Sequence, residues 1–134
     1  MAGYSGKPLV QKLGIKPGFR IFVGGAPGAY SDIVGRLPAG VTITSRLKAP
    51  LDMVHLFATN ASELASGLRG AREAISPDGV VWVSWPKKAS KVLTDVTEGV
   101  VRAEALKRDL VDVKVAAVNE IWSGLKLVIR KDLR

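Results

Sequence analysis

No cysteine occurs among the 134 residues. That removes disulfides, thiolate metal sites and thiol nucleophiles from consideration. A single histidine, His55, leaves no basis for a histidine-built zinc site, and no metal is expected. No apolar run approaches the roughly 20 residues of a membrane span, and the start, Met-Ala-Gly-Tyr-Ser-Gly-Lys, lacks an apolar signal core. No membrane contact and a cytoplasmic location are therefore expected. Acidic residues are also scarce: 12 Asp and Glu against 20 Lys and Arg give a formal net charge of +8. Such an excess points to an anionic ligand or nucleic acid as partner, although a solvated basic surface explains it equally well. The positive side chains are spread along the chain, with concentrations only at Lys87, Lys88 and Lys91 and at Arg130, Lys131 and Arg134.

What is present is the alternation of an α/β protein. The length fits one domain, residues 1–134, with 1–19 as a polar lead-in that includes a short helix from Pro8 to Leu13. Short apolar or β-branched runs predict strands over 20–24, 41–45, 53–59, 80–85, 111–118 and 125–131. Helices are predicted over 30–37, 61–75 and 95–110. The second of these has Asn60 as N-cap and a stripe of Leu64, Leu68, Ala71 and Ile75; the third has Thr94 as cap and Val96, Val100, Ala103 and Leu106 or Leu110 as its stripe. Pro77-Asp78-Gly79 reads as a turn, and Pro86 to Leu93 as a basic loop. Residues 46–50 are too few for a helix. The expected fold is a three-layer Rossmann-like sandwich. Its six-stranded, mostly parallel sheet ends in a C-terminal antiparallel hairpin.

Gly18-Phe19-Arg20-Ile21-Phe22-Val23-Gly24-Gly25-Ala26, Leu51-Asp52-Met53-Val54-His55-Leu56-Phe57 and Ser76-Pro77-Asp78-Gly79 follow one another in an order that resembles class I methyltransferases. The likeness runs from Gly14 to Lys131, with the segment between Ser45 and Asp52 trimmed of its usual helix, strand and second helix. It implies six strands in the order two, one, three, four, six, five, and a scaffold that holds S-adenosylmethionine at its strand ends. Closer still, Tyr4-Ser5-Gly6, Lys12 to Gly18, Trp85-Pro86-Lys87-Lys88-Ala89-Ser90, Thr94-Asp95 and Trp122-Ser123-Gly124-Leu125-Lys126 are similar to a small group of uncharacterised bacterial proteins, a likeness that implies no activity.

The candidate ligand-binding residues follow from the strand ends, where open α/β sheets bind ligands. Gly24, Gly25 and Ala26 begin a turn that lets a ligand approach the backbone, but its spacing is not the dinucleotide fingerprint and Pro27 removes a donor. The second strand ends at Ser45-Arg46, where a carboxylate would be needed for ribose hydroxyls; Arg46 suits a phosphate. Tight S-adenosylmethionine binding is accordingly not expected, and no cofactor is assigned. Trp85, Lys87, Lys88 and Lys91 form a basic rim that would hold a phosphate and stack a base, with Trp122 reaching the same rim. His55 reads as a buried, hydrogen-bonded core residue, and no Ser-His-Asp nucleophile elbow is present. No catalytic residue is assigned. The expectation is a non-catalytic binding or scaffold module for a nucleotide or nucleic acid. The alternative is a reduced S-adenosylmethionine-dependent methyltransferase using Gly24 to Gly28.

Overall fold

The computed structural model describes residues 7–134; the Tyr4-Ser5-Gly6 likeness lies outside them. The elements in chain order are α1 (Leu9–Leu13), β1 (Arg20–Gly24), α2 (Tyr30–Val34), β2 (Thr42–Thr44), β3 (Leu51–Phe57), α3 (Ala61–Ala74), β4 (Ile75–Pro86), α4 (Glu98–Leu106), β5 (Leu110–Ala117) and β6 (Trp122–Ile129). The strands form one sheet in the order β2-β1-β3-β4-β6-β5. The first four run parallel, while β6 is antiparallel to both β4 and β5. This is the expected Rossmann-like, methyltransferase-like arrangement. Among the described residues no helix is long and apolar enough to cross a membrane.

Both faces of the sheet are covered, which is why the central strands read as nearly continuous apolar runs. On one face Val54, Leu56, Val81, Val83, Trp85, Leu125 and Leu127 meet Leu64, Leu68 and Ala71 of α3 and Val101 and Ala105 of α4. On the other, Ile21, Met53, Phe57, Trp82 and Trp122 meet Leu13 of α1 and Tyr30 and Val34 of α2. A register shift between Leu51 and Met53 turns Leu51 onto the first face, beside Val54. The indole of Trp82 donates to the Leu13 carbonyl at 3.0 Å, tying the end of α1 to the sheet.

The short link from β2 to β3 must cross β1, about 10 Å at the usual strand spacing. It does so without a helix, and Leu47 fills the space instead. A Cβ added at Gly70 of α3 would overlap Leu47 Cδ2, and one at Gly67 would lie 2.9 Å from Leu56 Cδ1. Glycines on this face of α3 therefore let the link and β3 pack directly on the helix.

Three local expectations are corrected. Pro77-Asp78-Gly79 is not a turn: β4 begins at Ile75, directly after α3, and Ile75 already pairs with Leu51. The cap of α4 is Thr97, whose hydroxyl accepts from Val100 N at 3.2 Å. Thr94 instead donates to the Thr59 carbonyl at 2.7 Å and accepts from Val96 N at 3.0 Å, which holds residues 94–97 across the rim before the helix starts. The buried stripe shifts with that start: Val101 and Ala105 face the core, while Leu106 is exposed. Asn60 does cap α3, accepting from Glu63 N at 2.8 Å. Asn60→Ala is expected to cost about 1 kcal/mol of unfolding free energy in urea titrations; an unchanged midpoint would show that this cap contributes nothing.

Candidate functional site

The chain leaves β1 toward β2 on one side, while β3 lies on the other. The ends of β1 and β3 therefore flank the switch point at which open α/β sheets bind ligands. A crevice of about 310 Å³ opens there. Phe22, Leu47, Leu56 and Phe57 make its apolar walls, Gly24 and Gly25 its backbone edge, and Glu63 lies at the α3 side. Gly25 has φ +71°, and a Cβ there would overlap the Phe57 carbonyl oxygen. The turn can thus lie flat on the end of β3 only with glycine at this position.

Further along the same rim, the ends of β4 and α4 border a larger crevice of about 540 Å³. Trp85 and Val96 lie in its apolar part, and Lys87, Lys88 and Lys91 stand along it. Between the two lies a shallower hollow that includes Thr59, Asn60 and Asp95 and shares Leu93 and Thr94 with the larger crevice. Asp95 Oδ1 accepts from Ala61 N at 2.7 Å, so the loop before α4 is fastened to the start of α3.

The residues singled out from the sequence are thus divided among several places. Gly24 and Gly25 line the first crevice; Trp85, Lys87, Lys88 and Lys91 line the second. Arg46 lines neither, although its amide donates to Thr44 Oγ1 at 3.2 Å. Ala26 packs on the core beneath the turn. Trp85 is only 7% exposed and belongs to the core with Val96 and Val101, which excludes it as a base-stacking platform. Trp122 does not join it. Trp85 pairs with Ser123, and Trp122 pairs with Pro86, so the two indoles point to opposite faces of the sheet. Trp122 instead sets its ring edge-on to Phe57, with centroids 5.3 Å apart.

Beneath the glycine turn lies a buried polar relay. The Tyr30 hydroxyl, at the first residue of α2, is 2.7 Å from His55 Nδ1. His55 Nε2 is 2.8 Å from Ser84 Oγ. The imidazole is fully buried and stacked on Phe57 at 4.3 Å. Burial pushes its pKa down to about 3 and pushes the Tyr30 hydroxyl up from its usual range. The expected buried, hydrogen-bonded histidine is therefore what the structure contains. Its partners come from distant parts of the chain and could not be read from sequence. Glu63 is absent from the sequence-derived candidates; its signal is its place six positions beyond the end of β3.

No family model and no curated protein sequence matches the chain. Its fold does match solved structures. A SAM-dependent methyltransferase from Aquifex aeolicus shares 12% identity, with a TM-score of 0.62 over 90% of this chain and 87% of that one. The Methanococcus jannaschii fibrillarin pre-rRNA processing protein shares 9% identity, with a TM-score of 0.61 over 87% of this chain and 68% of that one. The magnesium protoporphyrin IX methyltransferase of Synechocystis, solved with bound SAM, shares 12% identity, with a TM-score of 0.58 over 90% of this chain and 74% of that one. At these identities the likeness establishes the fold alone. It nevertheless corrects the expectation of a non-catalytic scaffold whose partner is a nucleotide or nucleic acid. Two of the matched structures are methyltransferases, one of them solved with bound SAM, and the burial of Trp85 removes the stacking platform of the nucleic-acid reading.

Proposed function

We propose that this chain is a small S-adenosylmethionine-dependent methyltransferase, a single cytoplasmic domain that holds the cofactor in the crevice between the ends of β1 and β3. The observation that carries the reading is the glycine turn at the switch point, where Gly25 lies on the Phe57 carbonyl with no room for a Cβ. The residues present fit such a group. Phe22, Leu47, Leu56 and Phe57 offer apolar walls to a nucleoside and keep water from it, Gly24 and Gly25 offer approachable backbone, and Glu63 and Ser66 offer polar groups. When bound, S-adenosylmethionine supplies an electrophilic methyl group on a sulfonium.

The larger crevice would hold the acceptor. Val92 and Leu93, exposed over the buried Trp85 and Val96, suit an apolar body, and Lys87, Lys88 and Lys91 supply donors for its polar end. Among the described residues, the crevice's only lining carboxylate, Glu98, is ion-paired with Arg102. Such a crevice suits an acceptor atom that is already nucleophilic at neutral pH and needs no general base. Two of the five segments that carry the likeness to the small bacterial group are Trp85 to Ser90 and Trp122 to Lys126. The first of these segments borders this crevice, and Ser123 of the second does too.

Isothermal titration with S-adenosylmethionine tests the reading. Binding with a Kd of roughly 1–100 μM, about −8 to −5.5 kcal/mol, is expected. The absence of heat at millimolar ligand, with the protein folded, would refute it.

A further inference from the structure

We propose that Glu63 supplies the carboxylate that β2 lacks, accepting the ribose hydroxyls of the cofactor from the α3 side of the crevice. The inference rests on the cofactor reading above and goes beyond it by naming the specificity residue. The end of β2 cannot fill this role. Thr44 is its last residue, and Arg46 lines neither crevice. The link that follows sends only Leu47 into the site, seated against the notch at Gly70.

On the opposite wall, the fold places an acid where that link cannot. Asn60 caps α3 through Glu63 N, which fixes the residue in the first helical turn, directly after the rim segment that continues from β3. Among the described residues, its carboxylate has one hydrogen-bond partner, the Thr59 hydroxyl, which reaches Oε1 at 3.5 Å. Oε2 has none. Among the described residues, Glu63 is the only charged one lining this crevice, and Ser66 is the only other polar side chain there. The remaining side chains are those of Phe22, Leu47, Leu56, Phe57 and Ala58. Apolar walls suit the nucleoside end of the ligand rather than its zwitterionic end. The polar groups that a nucleoside brings to such walls are its paired hydroxyls, and a carboxylate with a vacant oxygen accepts both.

Three ligands tested against native chain, Glu63→Gln and Arg46→Ala distinguish the possibilities. S-adenosylmethionine carries a ribose, an ammonium and a sulfonium charge; S-adenosylhomocysteine lacks the sulfonium charge; methylthioadenosine keeps the ribose but lacks both charges. The proposal expects Glu63→Gln to weaken all three by the same factor, about 10- to 100-fold, and Arg46→Ala to leave all three unchanged. A loss confined to the ligands bearing an ammonium would place Glu63 on the amino-acid end and overturn the proposal. So would a loss confined to the sulfonium, or a variant that binds like the native chain. If the native chain binds none of the three, the cofactor reading itself falls, and this inference with it. Glu63 is exposed and Gln is tolerated in the first helical turn, so the variant is expected to fold; an unchanged thermal midpoint confirms it.

Discussion

Gly25→Ala is expected to lower the unfolding free energy by about 2–5 kcal/mol and to abolish binding at the glycine turn. Two costs add. A left-handed backbone at φ +71° costs a non-glycine residue roughly 1–2 kcal/mol. The new methyl group also overlaps the Phe57 carbonyl oxygen. That oxygen belongs to the backbone of a buried central strand and cannot swing aside as a side-chain tip would, so the overlap forces a backbone shift of the kind that costs about 1–3 kcal/mol. Gly28→Ala is the matched control. It lies in the same turn without a positive φ, and its Cβ meets nothing within 4 Å, so a change within about 0.5 kcal/mol is expected. Urea titration of both variants, followed by cofactor titration, separates strain from general loosening of the turn. Equal effects at the two positions would show that the Phe57 contact is not what demands glycine.

The contrast between these glycines also shows what the sequence could convey. The strands, the helices and the closing hairpin were legible because short apolar runs alternate with amphipathic stripes and the last connection is short. The order β2-β1-β3-β4-β6-β5 was legible only through the resemblance to class I methyltransferases, since alternation alone does not say which strands are neighbours. Element ends were less legible where two local signals competed. Pro77-Asp78-Gly79 has turn chemistry, yet Ile75 finds a strand partner in Leu51 and draws the segment into β4. Thr94 and Thr97 are both able caps. The choice falls to Thr97 because Thr94 is committed to the Thr59 carbonyl, 35 residues away. The site was the least legible part. Whether Trp85 and Trp122 share a face depends on the parity of the pairing between β4 and β6, and composition carries no trace of that parity. The relevant carboxylate was sought at the end of β2, the strand next in sequence. The fold brings Glu63 to the crevice from beyond β3 instead.

The buried relay gives the protein a defined sensitivity to acid. His55 ordinarily titrates near 6.5 but is held down to about 3 in the folded chain by burial. Between those values the unfolded chain binds a proton that the folded chain refuses, so stability falls as pH falls, by up to about 1.4 kcal/mol per pH unit. Above pH 6.5 both states are neutral and the effect is absent. Over three units the loss reaches roughly 4 kcal/mol, a large share of the 5–15 kcal/mol typical of a domain. His55→Gln keeps a donor and an acceptor between Tyr30 and Ser84 but gives up the stack on Phe57. It is expected to cost about 2 kcal/mol at pH 7. Because glutamine does not titrate, the two stability curves should converge near pH 5, with the variant the more stable below it. The exposed carboxylates titrate in both proteins and cancel in the difference. Urea titrations at pH 7, 6, 5 and 4 provide the comparison. A difference that stays constant across that range would mean that the folded chain takes up the imidazole proton as readily as the unfolded one, so that at pH 4 the Tyr30–His55–Ser84 relay would have to be drawn with both ring nitrogens donating.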